Sequence, residues 1–259
     1  MSDSVVIAIP ARFGASRLPG KPLLLAGGKP LIEHVIERAR LLATAELVVA
    51  TDDERIAAAA QRLQVRSLLT RPDHPTGSDR LAEVADRLAW TDQQIVVNLQ
   101  GDEPLMPLSC LEAVIDALQD DPTAAAATLA TPVLEVRELF DPACVKVVCD
   151  LRGRALYFSR APIPWARDAL ARDREQLPPE PILRHVGLYA YRAGTLRQFA
   201  RLAKSPLEHA ESLEQLRLLE NGLSIAVRRA PEPIPPGIDT PEDLERFQAL
   251  LGSRSGDDA

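Results

Sequence analysis

Arg12, Arg17 and Lys21 lie close together near the start of the chain, in a loop punctuated by Gly14 and Gly20. Clustered cations, beside backbone N–H groups that small residues leave accessible, suit a polyphosphate. A solvated basic loop is the other reading of the same residues. Asp102 follows Gly101 directly after an apolar run and precedes Glu103-Pro104. A carboxylate so placed can hold Mg²⁺, which keeps its waters and needs few protein ligands beside phosphate oxygens; it can equally cap a turn. Asp239 stands just before Thr240-Pro241-Glu242-Asp243, a helix start whose dipole already favours an anion. These two acids form a metal centre only if both reach one phosphate. Between Thr70 and Arg80, hydroxyls and N–H groups approach a helix N-terminus and can read the edge of a nucleobase, or Ser78 can be a plain N-cap and His74 a turn residue. The second half holds Arg160, Arg184, His185 and Tyr189, with Glu211, Glu214 and Gln215 on a helix expected over 206–220. Guanidinium groups suit a carboxylate and the others suit sugar hydroxyls, although Glu211 and Glu214, sharing a helix face, also fit a solvated acidic surface.

The elements that must position these groups alternate. Apolar runs predict strands over 5–9, 47–50, 65–69 and 94–99, separated by helices near 30–42, 54–63 and 79–89. That order predicts an α/β fold, with a mainly parallel sheet and helices on both faces. Ligands of such sheets bind beyond the carboxyl ends of the strands, which gathers Arg12, Lys21, Asp52 and Asp102 on one edge. After residue 123 the pattern changes: Val145–Cys149 and Ala155–Phe158 predict an antiparallel β-hairpin. Residues 166–181 read as a mobile loop and 183–191 as a strand. We expect one domain over 1–251, with about 145–190 forming an arm and substrate-side segment, and a disordered tail over 252–259.

Composition narrows the function. Of 259 residues, 46% are hydrophobic and 26% charged, as in an ordinary globular chain. A net charge of −7 argues against nucleic acid or an anionic membrane as partner, so a phosphate ligand must be met by local cations. No run reaches the length of a spanning helix, and Met1-Ser2-Asp3-Ser4 lacks the basic start of a signal peptide. Cys110, Cys144 and Cys149 form no metal or disulfide pattern, which with the rest predicts a cytoplasmic protein. No G-x-G-x-x-G follows the first strand, which disfavours a dinucleotide dehydrogenase.

Taken together, these segments resemble the 3-deoxy-manno-octulosonate cytidylyltransferases. The resemblance runs from Val5 to about Leu250. It rests on Ile9-Pro10-Ala11-Arg12 with Arg17-Leu18-Pro19-Gly20-Lys21, on Gln100-Gly101-Asp102-Glu103-Pro104, on Tyr157-Phe158-Ser159-Arg160, on Arg184-His185-Val186-Gly187-Leu188-Tyr189 and on Leu213-Glu214-Gln215-Leu216-Arg217. It implies a Rossmann-like nucleotidyltransferase fold with the hairpin as a dimerisation arm, and an enzyme of lipopolysaccharide synthesis joining CTP to 3-deoxy-manno-octulosonate (Kdo). In that role Arg12, Lys21, Asp102 and Asp239 are catalytic, the two acids holding Mg²⁺. Ala11, Arg12, Ser16, Arg17, Lys21, Arg71, Ser78 and Gln100 meet the nucleotide. Gln100, Arg160, His185, Tyr189, Glu214 and Gln215 meet the sugar acid, and a homodimer is implied. Ala15-Ser16 stands where the family usually has Ser-Thr, which removes one hydroxyl from the phosphate loop. Another keto-sugar acid (8-amino-Kdo or a sialate) and a noncatalytic nucleotide-binding regulator remain as alternatives.

Overall fold

The computed structural model describes residues 5–14, 18–43 and 45–256. The described residues gather into two compact units, one within 1–111, 192–200 and 234–259 and the other within 112–191 and 201–233. No linker composition marks the crossings because three of them fall inside continuing elements, Leu108–Asp120, Leu183–Arg192 and Ala193–Arg201.

The first unit is built on a parallel sheet in the order Ile95–Asn98, Val5–Ala11, Ala45–Thr51, Arg66–Leu69, with Val5 in register with both Ile95 and Ala45. Val6 through Ile9 are buried on both faces, which is why the strand reads as an unbroken apolar run. Helix Leu31–Arg40 buries Leu31, Ile32, Val35, Ile36 and Ala39, the face its spacing predicts. Helix Gly77–Arg87 is capped by Thr76, whose hydroxyl accepts from Asp79 N–H. Ser78 is therefore not the cap but a buried residue of the first turn. A short ribbon, Leu25–Ala26 against Lys29–Pro30, turns through Gly27 and Gly28 at φ 55° and 80°, the pair of positive angles a tight hairpin turn requires.

The last helix, Pro241–Gly256, carries helical structure through the first part of the expected tail. Its Phe247 packs with Ala26, Leu31 and Ile238, and Leu251 lies against that cluster. At its start the Asp243 carboxylate accepts from the N–H groups of Asp239 and Thr240. Packing and capping together fix Asp239 at the helix entrance.

In the second unit, Ile225–Arg229 runs parallel to Ala126–Pro132, which pairs antiparallel with Leu183–Arg192; Lys146–Cys149 joins that strand and forms the expected hairpin with Ala155–Ser159. The hairpin turns on the Asp150 carboxylate, which accepts from Arg152 and Arg154 N–H, with Gly153 at φ 80°. Two expectations fail here. The helix expected over 206–220 is broken into Pro206–Glu211 and Leu216–Glu220 by Ser212, which is left-handed at φ 52°, so Glu211 and Glu214 do not share one helix face. The loop expected over 166–181 contains helix Arg167–Arg172, held by Leu170 in a cluster with Val133, Leu139 and Ile182. Among the described residues no helix is long and apolar enough to cross a membrane.

Candidate active site

The carboxyl ends of the first unit's strands border a cleft of about 380 Å³. Ala11, Arg12, Lys21, Gln100, Asp102 and Asp239 line it, as does the stretch His74–Gly77 with Arg80. Several backbone devices hold the basic loop. Asp52 accepts from Phe13 N–H at 3.0 Å, and the Gly20 N–H returns to the Phe13 carbonyl at 3.1 Å. Gly20 is left-handed at φ 69°, which allows the short turn Lys21–Leu23 to start there. The other Asp52 oxygen accepts from Arg80 at 3.1 Å, and Arg80 also donates to the Thr70 hydroxyl. A buried arginine thus ties three chain segments to the floor of the cleft.

The centre of the cleft is a charge cluster. Lys21 Nζ stands 2.5 Å from Asp102 Oδ2 and 3.0 Å from Asp239 Oδ1, bridging acids that are more than a hundred residues apart in sequence. Two close approaches make this possible. A Cβ on Gly101 would lie 3.2 Å from the Pro10 carbonyl, and one on Gly237 would lie 3.4 Å from the Asp102 carbonyl. Ile238 N–H donates to that same Asp102 carbonyl at 2.8 Å, stitching the segment before the last helix to the acid. Glu103 differs from its neighbours: burial first, then the charges of Asp102 and Asp239, push its pKa up to about 8, and its Oε2 is buried with no hydrogen-bond partner. The raised value favours its neutral form at neutral pH. Among the described residues no cluster of three or more metal-ligating side chains occurs. Two carboxylates already bridged by a cation nevertheless fit Mg²⁺, which draws the rest of its shell from water and phosphate.

Not every expected nucleotide residue borders the cleft. Arg71 is exposed, and its N–H donates to Glu83 at 3.1 Å; Ser78 is buried. Neither lines the space, while Ser16 and Arg17 lie outside the described residues. Glu83 also pairs with His74 at 2.5 Å, so one carboxylate holds both ends of the turn before Thr76. Burial works to raise the Glu83 pKa but is outweighed by hydrogen bonds from His74, Arg71 and Arg87, which hold it low.

The second unit gathers the other set. His185 and Tyr189 are neighbours across an irregularity in the strand, with ring centroids 5.4 Å apart, and Phe158 meets the His185 ring edge-on at 5.1 Å. Desolvation takes the His185 pKa down to about 3 although the residue keeps partial exposure. Tyr189 is held well above its ordinary value, by burial first and then by Tyr191 and Glu214. Its hydroxyl, and Nε2 of Gln215, are buried without a hydrogen bond of good geometry. Buried donors left in that state mark a place where a polar ligand can complete them. Arg160 gives three N–H groups to the carbonyls of Glu211, Pro142 and Ser212, which leaves only part of its fork for a carboxylate. Glu211 accepts from Tyr157, Ser159 and the Arg160 N–H and so frames this segment.

Sequence reasoning missed Arg80 and Glu83. Both lie on helix Gly77–Arg87 at positions that read as helix surface, and only contacts with distant segments reveal their work.

The model of the cytidylyltransferase family matches residues 6–225. The 3-deoxy-manno-octulosonate cytidylyltransferase of Stenotrophomonas maltophilia (strain R551-3) is 54% identical over 248 residues, covering 95% of this chain and 96% of that protein. That of Halorhodospira halophila is 55% identical over 253 residues, covering 97% and 98%. A CMP:2-keto-3-deoxy-manno-octonic acid synthetase solved in complex with CTP superposes with a TM-score of 0.87 at 44% identity, covering 96% of this chain and 99% of that one. A 4-diphosphocytidyl-2C-methyl-D-erythritol synthase, at 15% identity and a TM-score of 0.62, shares the fold.

Proposed function

Since the chain belongs to the 3-deoxy-manno-octulosonate cytidylyltransferase family, we infer that it joins CTP to Kdo, giving CMP-Kdo and pyrophosphate. The anomeric hydroxyl forms a bond to the α-phosphorus and loses its proton, while the bond from that phosphorus to the pyrophosphate oxygen breaks. Within this chain the observation that carries the reading is Lys21 set between Asp102 and Asp239 at the end of a basic loop.

Arg12 and Lys21 neutralise the triphosphate, with Ser16 and Arg17 of the same loop. Arg12 is exposed at the cleft and engages no acid among the described residues, so it is available to an incoming anion. Asp102 and Asp239 hold Mg²⁺, which when bound spreads the developing charge and lowers the pKa of the attacking hydroxyl. Ala11 and the cleft-lining stretch His74–Gly77 serve the cytidine, while Arg71 and Ser78, outside the lining, belong to the segment that the Thr76 cap and the Glu83 clamp hold beside it. In the second unit, His185, Tyr189, Glu214 and Gln215 take sugar hydroxyls and the open part of the Arg160 fork takes the carboxylate; Gln100 lines the first unit's cleft. Positioning and charge neutralisation supply most of the catalysis in such a transfer.

A cytoplasmic homodimer completes the reading, with the hairpin as the contact: Leu151 at its turn and Leu156 on its second strand are exposed. Sedimentation of the full chain checks the dimer. Function is tested by pyrophosphate release with CTP, UTP, ATP and GTP against Kdo, 8-amino-Kdo and a sialate. CTP with Kdo should give the highest kcat/KM. Equal rates with ATP would remove the base-reading role of the Thr70–Arg80 segment, and preference for another acid would reassign the sugar.

A further inference from the structure

We propose that Thr128 fixes the proton of His185 on Nε2, so that Nδ1 faces the sugar acid as an acceptor and selects a hydroxyl there; Thr128 is then a positioning residue of the second unit's pocket. This rests on the reading that His185 meets the sugar acid.

The argument starts from the irregular strand. Along Leu183–Arg192, Val186 pairs with Leu129 and Tyr189 with Thr128, so Gly187 and Leu188 are extra residues in the ladder. Such a bulge turns backbone carbonyls out of the regular pattern. Two of them, from Val186 and Leu188, turn to the Thr128 hydroxyl at 2.8 and 2.9 Å. Thr128 is wholly buried, so no water competes for these contacts. A hydroxyl carries a single proton, and carbonyls can only accept. The Thr128 proton is therefore committed to the carbonyl pair. Toward His185 Nε2 at 3.2 Å, and toward the Tyr189 hydroxyl that also meets it, the Thr128 oxygen is left to accept, so Nε2 carries hydrogen.

The tautomer of a neutral imidazole is set by the partner of one nitrogen, which leaves the other with a lone pair. The ring is neutral because desolvation among Phe158 and Tyr189 disfavours its charged form. In the same unit Gln215 Nε2, buried with no hydrogen-bond partner, supplies a donor. Nδ1 therefore adds an acceptor, which rejects a carboxylate and a deoxy position and admits a hydroxyl. A site whose polar group is left unmatched by an analogue discriminates strongly against it.

Long-range ¹H–¹⁵N correlation spectra of the full-length protein read the tautomer directly, the His185 signals being assigned by their loss in His185→Asn. The expected wild-type pattern is a protonated Nε2 and an unprotonated Nδ1 at pH 7, with Nδ1 shifting when Kdo is added. In Thr128→Val the two signals should move toward a mixture of tautomers and KM for Kdo should rise about tenfold, with KM for CTP nearly unchanged. Thr128→Ser should restore both. A wild-type ring protonated on Nδ1, or signals unmoved in a folded Thr128→Val protein, overturns the assignment. If Thr128→Val does not fold, the wild-type spectrum alone decides. The expected tautomer with an Nδ1 signal that ignores Kdo overturns the sugar-pocket reading instead.

Discussion

At the scale of single residues, the Lys21–Asp102–Asp239 cluster makes a sharp demand. If both acids serve one metal-phosphate centre, Asp102→Asn and Asp239→Asn should each lower kcat by at least about a hundredfold, roughly 3 kcal/mol of transition-state stabilisation. Because each acid works through the other, the double variant should fall well short of the product of the two losses; multiplicative losses in steady-state kinetics would separate them. His185 makes a demand on pH. Its folded pKa of about 3 lies below the ordinary value of 6.5. Below pH 6.5 the unfolded chain therefore binds a proton that the folded chain refuses. Stability is full above that pH and declines toward pH 3, by up to about 1.4 kcal/mol per pH unit from this residue. Urea denaturation across that range should show a shallower decline in His185→Gln. Asp102 and Asp239 were readable as candidates because one follows a glycine at a strand end and the other stands before a helix start. Thr128 was not, because it acts on a ring 57 residues away through a bulge that no spacing announces.

Among the elements, the break at Ser212 matters most. Pro206–Glu211 and Leu216–Glu220 are joined by the ion pair of Glu208 with Arg217, at 2.7 Å from Nε, with both residues buried. Burial alone would raise the Glu208 pKa, but the Arg217 hydrogen bond and charge outweigh it and hold the carboxyl low. Glu208→Ala deprives a buried guanidinium of its carboxylate, which should cost about 3–5 kcal/mol and lower Tm by on the order of 10 °C. Differential scanning calorimetry reads this, and a change within a degree would show the pair to be incidental. Strands of the first unit were legible because β-branched runs and helical spacing alternate cleanly. Ala126–Pro132 was not: its sequence, Ala-Ala-Thr-Leu-Ala-Thr-Pro, has little strand propensity, and long-range pairing with Ile225–Arg229 and Leu183–Arg192 makes it a strand. The single helix expected over 206–220 failed for a related reason, since nothing in Glu211-Ser212-Leu213 announces a left-handed residue.

For the whole molecule, the proposed site residues give each substrate its own footprint. Hydrogen–deuterium exchange should show CTP with Mg²⁺ protecting residues 10–14, 18–24, 70–80, 100–103 and 236–241, while Kdo protects 126–131, 183–191 and 211–216, as expected when a ligand stabilises the backbone it touches. Protection of the first set by Kdo alone would reverse the assignment. The interleaved segments leave no boundary between the units for the sequence to show. A chain that crosses between units inside helices and strands offers no polar, Pro- or Gly-rich linker to read.

Lys21 also gives the cleft a placeholder. On the proposed reading, a divalent ion entering between the two carboxylates would have to evict the ammonium that now bridges them, and the evicted charge would need a new anion, such as a triphosphate. Cation and nucleotide should therefore favour each other's entry, a linkage held by one side chain. Lys21→Met predicts opposite changes in two measurements. Calorimetry should find tighter Mg²⁺ binding to the nucleotide-free protein, because the acids are vacated, while turnover collapses for want of a cation on the phosphates. The enzyme would then have traded its safeguard against loading a cation without its cargo for an affinity it cannot use.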